Sequence, residues 1–182
     1  MEYQPPSALD EAFFANSTPK EVERGTLIQR EGETTRASFK VIKGCLLSYV
    51  LDKAGKKHII QFAPEGWFIS DMNSYFNQTP SELFIEAIED STVIPFAKSY
   101  EEEAKNLSTE ALLDLNTKFR KSLISANKRL ISLLSATAEE RYLEFTETYP
   151  TLVQRLSQKL IASYIGITPE YLSGIRRKLA TK

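Results

Sequence analysis

The sequence predicts an α+β chain: an N-terminal antiparallel β-roll of the double-stranded β-helix kind, one long helix, and a C-terminal helix-turn-helix unit. Three observations predict it. Between Gly25 and about Phe96, short segments rich in Ile, Val, Phe and Tyr alternate with turn signals at a spacing of about ten residues. From Leu107 to Ala138 there is neither Pro nor Gly, and apolar residues recur every three or four positions. From Ser157 to Leu179, two short amphipathic patterns flank a glycine.

The start of the chain holds Pro5, Pro6 and Pro19 and one apolar patch, Leu9 to Phe14, enough for a brief helix ahead of the roll. Within the roll the turn signals are Glu31-Gly32-Glu33, Lys43-Gly44, Asp52 to Lys56, Pro64-Glu65-Gly66 and Glu89-Asp90-Ser91. The polar stretch Ser70 to Glu82 fits neither a strand nor a long helix, so a loop or short helix is expected there, a natural place for a ligand.

The long helix starts at Ser108-Thr109-Glu110-Ala111 and carries a stripe of Leu112, Leu115, Phe119, Leu123, Ala126, Leu130, Leu133 and Leu134. About thirty helical residues span roughly 45 Å, more than a domain of about a hundred residues can cover. The same helix of a second copy is the simplest cover, and packing wholly on the chain's own roll is the alternative. Helix continues through Glu139 to Phe145 and stops at Tyr149-Pro150, where proline disfavours helix at the residue before it. The expected divisions are 1–106 for the roll, 107–138 for the dimerisation helix and 139–182 for the helix-turn-helix domain.

Charge separates along the chain. From residue 152 onward Arg155, Lys159, Arg176, Arg177, Lys178 and Lys182 face the single acid Glu170, a balance of +5, although the whole chain carries −1. A cationic module joined to an acidic one suits a polyanionic partner. No apolar run approaches the ~20 residues of a membrane-spanning helix, and the start lacks a signal region, so a soluble cytoplasmic protein is expected. Lone Cys45 and lone His58 argue against a disulfide, an iron–sulfur cluster, haem sensing and a histidine-rich metal site. The same shortage disfavours a metal-dependent β-roll enzyme, and no Ser-His-Asp order or phosphate-cradling glycine loop is present. The expectation is no enzyme, no cofactor and no bound metal.

The C-terminal pattern has a residue-level logic. Ser157 can cap a first helix whose inward face is Leu160, Ile161 and Ile165, with small Ala162 at the helix crossing. Gly166 turns the chain, Ile167 covers the turn, Thr168 caps the second helix and Pro169 suits its first position. Leu172, Ile175 and Leu179 make the second inward stripe. Thr168, Glu170, Ser173 and Arg177 then face outward as a recognition helix would, with Arg176 and Lys178 in reach of bases or phosphates. Arg155 and Lys159 are placed for phosphates, which position a protein without reading sequence.

The chain resembles the Crp/Fnr family of regulators, particularly the compact kind common in Bacteroidetes. The segments that carry the resemblance are Gly25 to Gly32, Phe39 to Gly44, Phe62 to Asp71 and Ser157 to Leu179. It implies a cyclic-nucleotide-binding-like roll, a long dimerisation helix and a DNA-binding helix-turn-helix. Relatives that bind cyclic AMP carry, in the segment matching Phe68 to Ala87, an acidic residue for the ribose and an Arg-Ser pair for the phosphate. Asp71 can take the first role, but Ser81 and Glu82 stand in place of the pair, and a carboxylate facing a phosphate is repulsive. Asp71, Ser81 and Glu82 thus mark an effector pocket whose ligand is not expected to be cyclic AMP or cyclic GMP. Gly174 stands where relatives often carry Arg, and the sequence reaches Lys182 without the wing hairpin of many relatives, so weaker DNA binding is expected.

The expected partners are double-stranded DNA and a second copy of the chain, with an unidentified small-molecule effector and RNA polymerase as further candidates and no membrane. The competing reading is an interaction protein that does not bind DNA and whose helix-turn-helix is vestigial.

Overall fold

A computed structural model of the chain describes residues 17–96, 105 and 107–180. The apolar patch Leu9 to Phe14 lies outside the described residues. Those residues form strands β1 (Lys20–Val22), β2 (Leu27–Gln29), β3 (Ser38–Lys43), β4 (Leu46–Leu51), β5 (Lys57–Ala63), β6 (Phe68–Ile69), β7 (Phe84–Ala87) and β8 (Ser91–Phe96). The helices are α1 (Met72–Asn77), α2 (Thr109–Ser135), α3 (Ala138–Thr148), α4 (Gln158–Ile165) and α5 (Pro169–Ala180).

Two four-stranded sheets, ordered β1-β8-β3-β6 and β2-β7-β4-β5, make the roll. Strand β8 lies antiparallel between β1 and β3, with Val93 opposite Lys20 on one side and Val41 on the other. Period-two burial in β7 turns Ile85 and Ala87 inward, as half-buried strands require, and Val93 of β8 is buried with them. They join Val41, Leu46, Ala63 and Ile69 in a core that Val22, Ile28 and Phe39 close at its edge. The turn at Gly44 fits only glycine. Its φ is +86°, and a Cβ there would lie 2.3 Å from Ser91 Oγ and 2.7 Å from the Asp90 carbonyl.

The chain clusters into two compact units, 1–48 with 62–123 and 49–61 with 124–182. The first holds the roll core and the first half of α2. The second holds the outer part of the β4–β5 hairpin, the second half of α2 and helices α3 to α5.

The polar stretch after Ser70 contains one short helix, α1, capped by Asp71. Helix α2 begins as expected, with Ser108 Oγ accepting from the Ala111 N–H, but ends at Ser135 rather than Ala138. The cause is local. Thr137 is extended and starts a capping box: its hydroxyl accepts from the Glu140 N–H while the Glu140 carboxylate accepts from the Thr137 N–H. Helix α3 stops before Pro150, with Tyr149 as its cap residue. No helix of the described residues is long and apolar enough to cross a membrane.

Candidate DNA-binding site

Helices α4 and α5 form within the second unit as their residues dictate. Ser157 Oγ accepts from the Leu160 N–H, and Thr168 Oγ1 accepts from the Tyr171 N–H, so each helix has a hydroxyl cap. Gly166 ends α4 in the left-handed region at φ +73°, which lets the Ile167 N–H reach the Ala162 carbonyl. Ile161, Ala162 and Ile165 are buried with Leu172 and Ile175, over a base of Tyr142, Phe145, Leu152 and Leu156.

Of the eight residues expected to meet DNA, Arg155, Lys159, Thr168, Glu170, Arg176, Arg177 and Lys178 are exposed and Ser173 is half-buried. Several have partners within the unit. Thr168 caps α5, and the Glu170 carboxylate folds back onto its own N–H and the Thr168 hydroxyl, which holds it below the usual carboxylate range. The single hydroxyl proton of Ser173 is shared between Gln158 Oε1 at 2.8 Å and the Pro169 carbonyl at 3.0 Å, the first of which ties α5 to α4. Lys178 bonds the Glu139 carboxylate of α3, and that hydrogen bond raises its ammonium above the usual lysine range. Gly174 lies beside this pair, in a cleft shared by Thr137, Tyr171 and Ile175.

The unit also contains a tether that the sequence reading missed. Ser163 of α4 donates to the Lys57 carbonyl at 2.7 Å and accepts from the Ile59 N–H at 3.3 Å. Arg129 of α2 donates to the carbonyls of Ile59, Ile60 and Tyr164, and its guanidinium stacks 3.9 Å from the Tyr164 ring centroid. Strand β5 is the edge of its sheet, so its outward backbone groups need partners, and Ser163 and Arg129 supply them. Among the described residues no carboxylate faces Arg129, its Nε is buried without a partner, and burial pushes its ionisation below the usual arginine range. One sequence signal was available: Arg129 falls at inward spacing with Ser132, Leu133 and Ala136.

In the first unit, Asp71, Ser81 and Glu82 do come together, but they bond one another. One Asp71 carboxylate oxygen accepts from the Ser74 N–H at 3.0 Å. The other accepts from Ser81 Oγ at 2.9 Å and the Glu82 N–H at 3.0 Å. Asp71 and Ser81 are buried, and the Glu82 side chain is exposed.

Along α2, the residues expected to face a second copy differ in exposure. Leu123 and Leu130 are strongly exposed, at 63% and 56%. Phe119 packs on Phe76 with ring centroids 6.4 Å apart, Leu133 rests near the Gly166 turn, and Leu115 is half-buried. Leu112 is exposed at 38%, and Ala126 is also open. The most exposed apolar side chains include Leu113, Ile124, Ile131 and Leu134, the last at 80%.

Cys45 is buried in the roll. His58 is a strand residue paired with Asp52 across the hairpin at 2.8 Å, and among the described residues no cluster of His, Cys, Asp and Glu could hold a metal.

Residues 19–103 match the family described as "Cyclic nucleotide-binding domain". No curated protein matches the chain in sequence. Among solved structures, FixK2 from Bradyrhizobium japonicum is 24% identical with a TM-score of 0.75, over 91% of this chain and 85% of that one. The c-di-GMP responsive global regulator CLP from Xanthomonas campestris is 14% identical with a TM-score of 0.72, over 95% and 91%. A transcriptional regulator of the CRP/FNR family from Thermus thermophilus is 18% identical with a TM-score of 0.70, over 90% and 86%. The chain therefore has the fold of these solved regulators, and its residues 19–103 are similar to the cyclic nucleotide-binding domain family.

Proposed function

We propose that this chain is a homodimeric, sequence-specific DNA-binding regulator of transcription that reads DNA with α5. The observation that carries the reading is the α4–α5 unit itself: a tightly packed helix pair, capped on both helices, with Arg155, Lys159, Arg176 and Arg177 all exposed. The fold shared with solved transcription regulators supports the same role. Arg177 and Arg176 are the candidates for base edges, and Lys159 and Arg155 for phosphates.

Dimerisation runs along α2. The solvent-exposed set Leu123, Ile124, Leu130, Ile131 and Leu134 repeats at spacings of one, three, four, six and seven, which a second parallel helix covers as a two-stranded seam. This seam shares Leu123, Leu130 and Leu134 with the one read in the sequence and adds Ile124 and Ile131, while Phe119 packs on Phe76 of its own chain.

Cyclic AMP is not the effector in this reading. The Asp71 carboxylate that would take the ribose is bonded to Ser74, Ser81 and Glu82, and no arginine stands at Ser81 or Glu82 to meet a phosphate. A low-micromolar dissociation constant for cyclic AMP by calorimetry would overturn that part.

Selection of bound sequences from a random DNA pool tests the main reading. The expected product is an inverted repeat with half-sites about one helical turn apart. Recovery of no preferred sequence would favour the interaction-protein reading instead.

A further inference from the structure

A cavity of about 460 Å³ opens inside the second unit, among the second half of α2, α3 and α4. Its volume falls within the range of small-molecule sites, roughly 300–1,000 Å³. One wall is aromatic: Phe145, Tyr149 and Tyr164 line it, with ring centroids 5.3 to 5.9 Å apart. Arg129, stacked on the Tyr164 ring, and Arg141 also line the cavity.

The two guanidiniums are unusual in what they bond. Arg141 donates to the carbonyls of Ala136 and Ile165, and Arg129 to those of Ile59, Ile60 and Tyr164. Every acceptor is a neutral carbonyl, and among the described residues neither cation meets a carboxylate. The cavity's two acids do not answer them: Glu144 bonds Ser132, and both Glu144 and Glu147 are exposed. A carboxylate can take two parallel N–H donors of a guanidinium at once and adds the attraction of opposite charges, neither of which a single neutral carbonyl offers. An entering carboxylate therefore competes well for these donors.

We propose that this cavity binds a small aryl carboxylate, its ring against Phe145, Tyr149 and Tyr164 and its carboxylate drawn to Arg141 and Arg129. Binding reaches the DNA-reading helices by a short route. Arg129 and Arg141 both hold carbonyls at the end of α4, directly before the turn into α5. A carboxylate that draws Arg129 away from Ile59 and Ile60 loosens the β4–β5 hairpin from α4, whose Ser163 still bonds the hairpin backbone. The cavity is separate from the Asp71, Ser81 and Glu82 cluster of the roll, so the regulator reading gains an effector site in its DNA-binding unit.

The test is calorimetric titration of the full chain with phenylacetate and indole-3-acetate, with 2-phenylethanol as the neutral counterpart and inorganic phosphate as the bare anion. One aryl acetate per chain with a dissociation constant below about 1 mM is expected. The neutral alcohol and the Arg141→Gln variant should each bind at least about tenfold more weakly. Ser125→Trp, a change at an exposed rim position on α2, should block binding while leaving the thermal midpoint in place, which separates occlusion from misfolding. Absence of saturable binding by either aryl acetate up to about 10 mM overturns the proposal. So does equal affinity for the neutral alcohol, binding of phosphate alone, or binding that survives both substitutions. The titration contains no DNA, so its failure is distinct from a failure of DNA recognition.

Discussion

Replacing Asp71 with Ala should destabilise the roll by about 2–4 kcal/mol, a figure built from the carboxylate's three hydrogen bonds. Loss of the α1 cap costs about 1 kcal/mol, since the Ser74 N–H is buried and no longer has its acceptor. The Glu82 N–H loses its acceptor as well, at about 1–3 kcal/mol for a desolvated donor. Ser81 contributes less, because its hydroxyl keeps the Leu83 carbonyl as a partner at 3.0 Å. Relief from burying a carboxylate offsets part of the total, so the sum stays below the full value of three charged hydrogen bonds. Urea denaturation followed by the fluorescence of Trp67, the only tryptophan, reads this unit directly. A loss under about 1 kcal/mol at unchanged urea slope would refute the reasoning, because the carboxylate would then be free to serve a ligand.

Changing both Ile124 and Ile131 to Glu should convert a dimer to monomers in sedimentation velocity, because the new charges would be buried in the seam. A wild type already monomeric at micromolar concentration would contradict that. Gly44→Ala should cost about 3 kcal/mol or more in urea unfolding, since φ is +86° and the new methyl meets backbone at Asp90, and Gly166→Ala only about 1–2 kcal/mol. Equal costs would show that steric contact at Gly44 has been overestimated. The Glu140 carboxyl lies below its ordinary range through hydrogen bonds from the Thr137 backbone and hydroxyl. Its stabilisation of the α3 start is therefore present above the unfolded glutamate value and lost as pH falls through the lowered folded value. Thr137→Ala should remove part of that acid dependence in circular dichroism and cost about 1 kcal/mol at neutral pH. An identical acid titration in the variant would contradict the capping role.

The roll and the helix-turn-helix were legible because each rests on local rules. Segments rich in Ile, Val, Phe and Tyr between turn signals marked the strands, and the Ser157, Gly166 and Thr168 signals placed α4 and α5 almost residue by residue. The break between α2 and α3 was also written locally, as Thr137 and Glu140 three residues apart, but the surrounding run of helix formers concealed it. What pattern could not supply was pairing across long sequence separations. Nothing near Arg129 announces that its acceptors lie about seventy residues earlier in β5, or that Ser163 bonds the same strand from α4. Apolar spacing marks every face that avoids water, and only the position of Phe76 reveals that Phe119 meets an aromatic ring of its own chain. Among the outward residues of α5, helical phase correctly exposed Arg176 and Arg177, yet could not foresee that Lys178 finds Glu139 or that Ser173 finds Gln158.

Fluorescence titration of the wild type, Arg177→Ala and Lys159→Ala on the selected DNA site and on a scrambled duplex, at several salt concentrations, tests DNA recognition most directly. Arg177→Ala should lose about 1–3 kcal/mol on the selected site, with little change on scrambled DNA. Lys159→Ala should weaken both duplexes alike and make the salt dependence shallower by about one phosphate contact per subunit. If the wild type binds both duplexes equally at about 100 mM salt, or if Arg177→Ala changes neither, then α5 does not read sequence and the central claim is wrong.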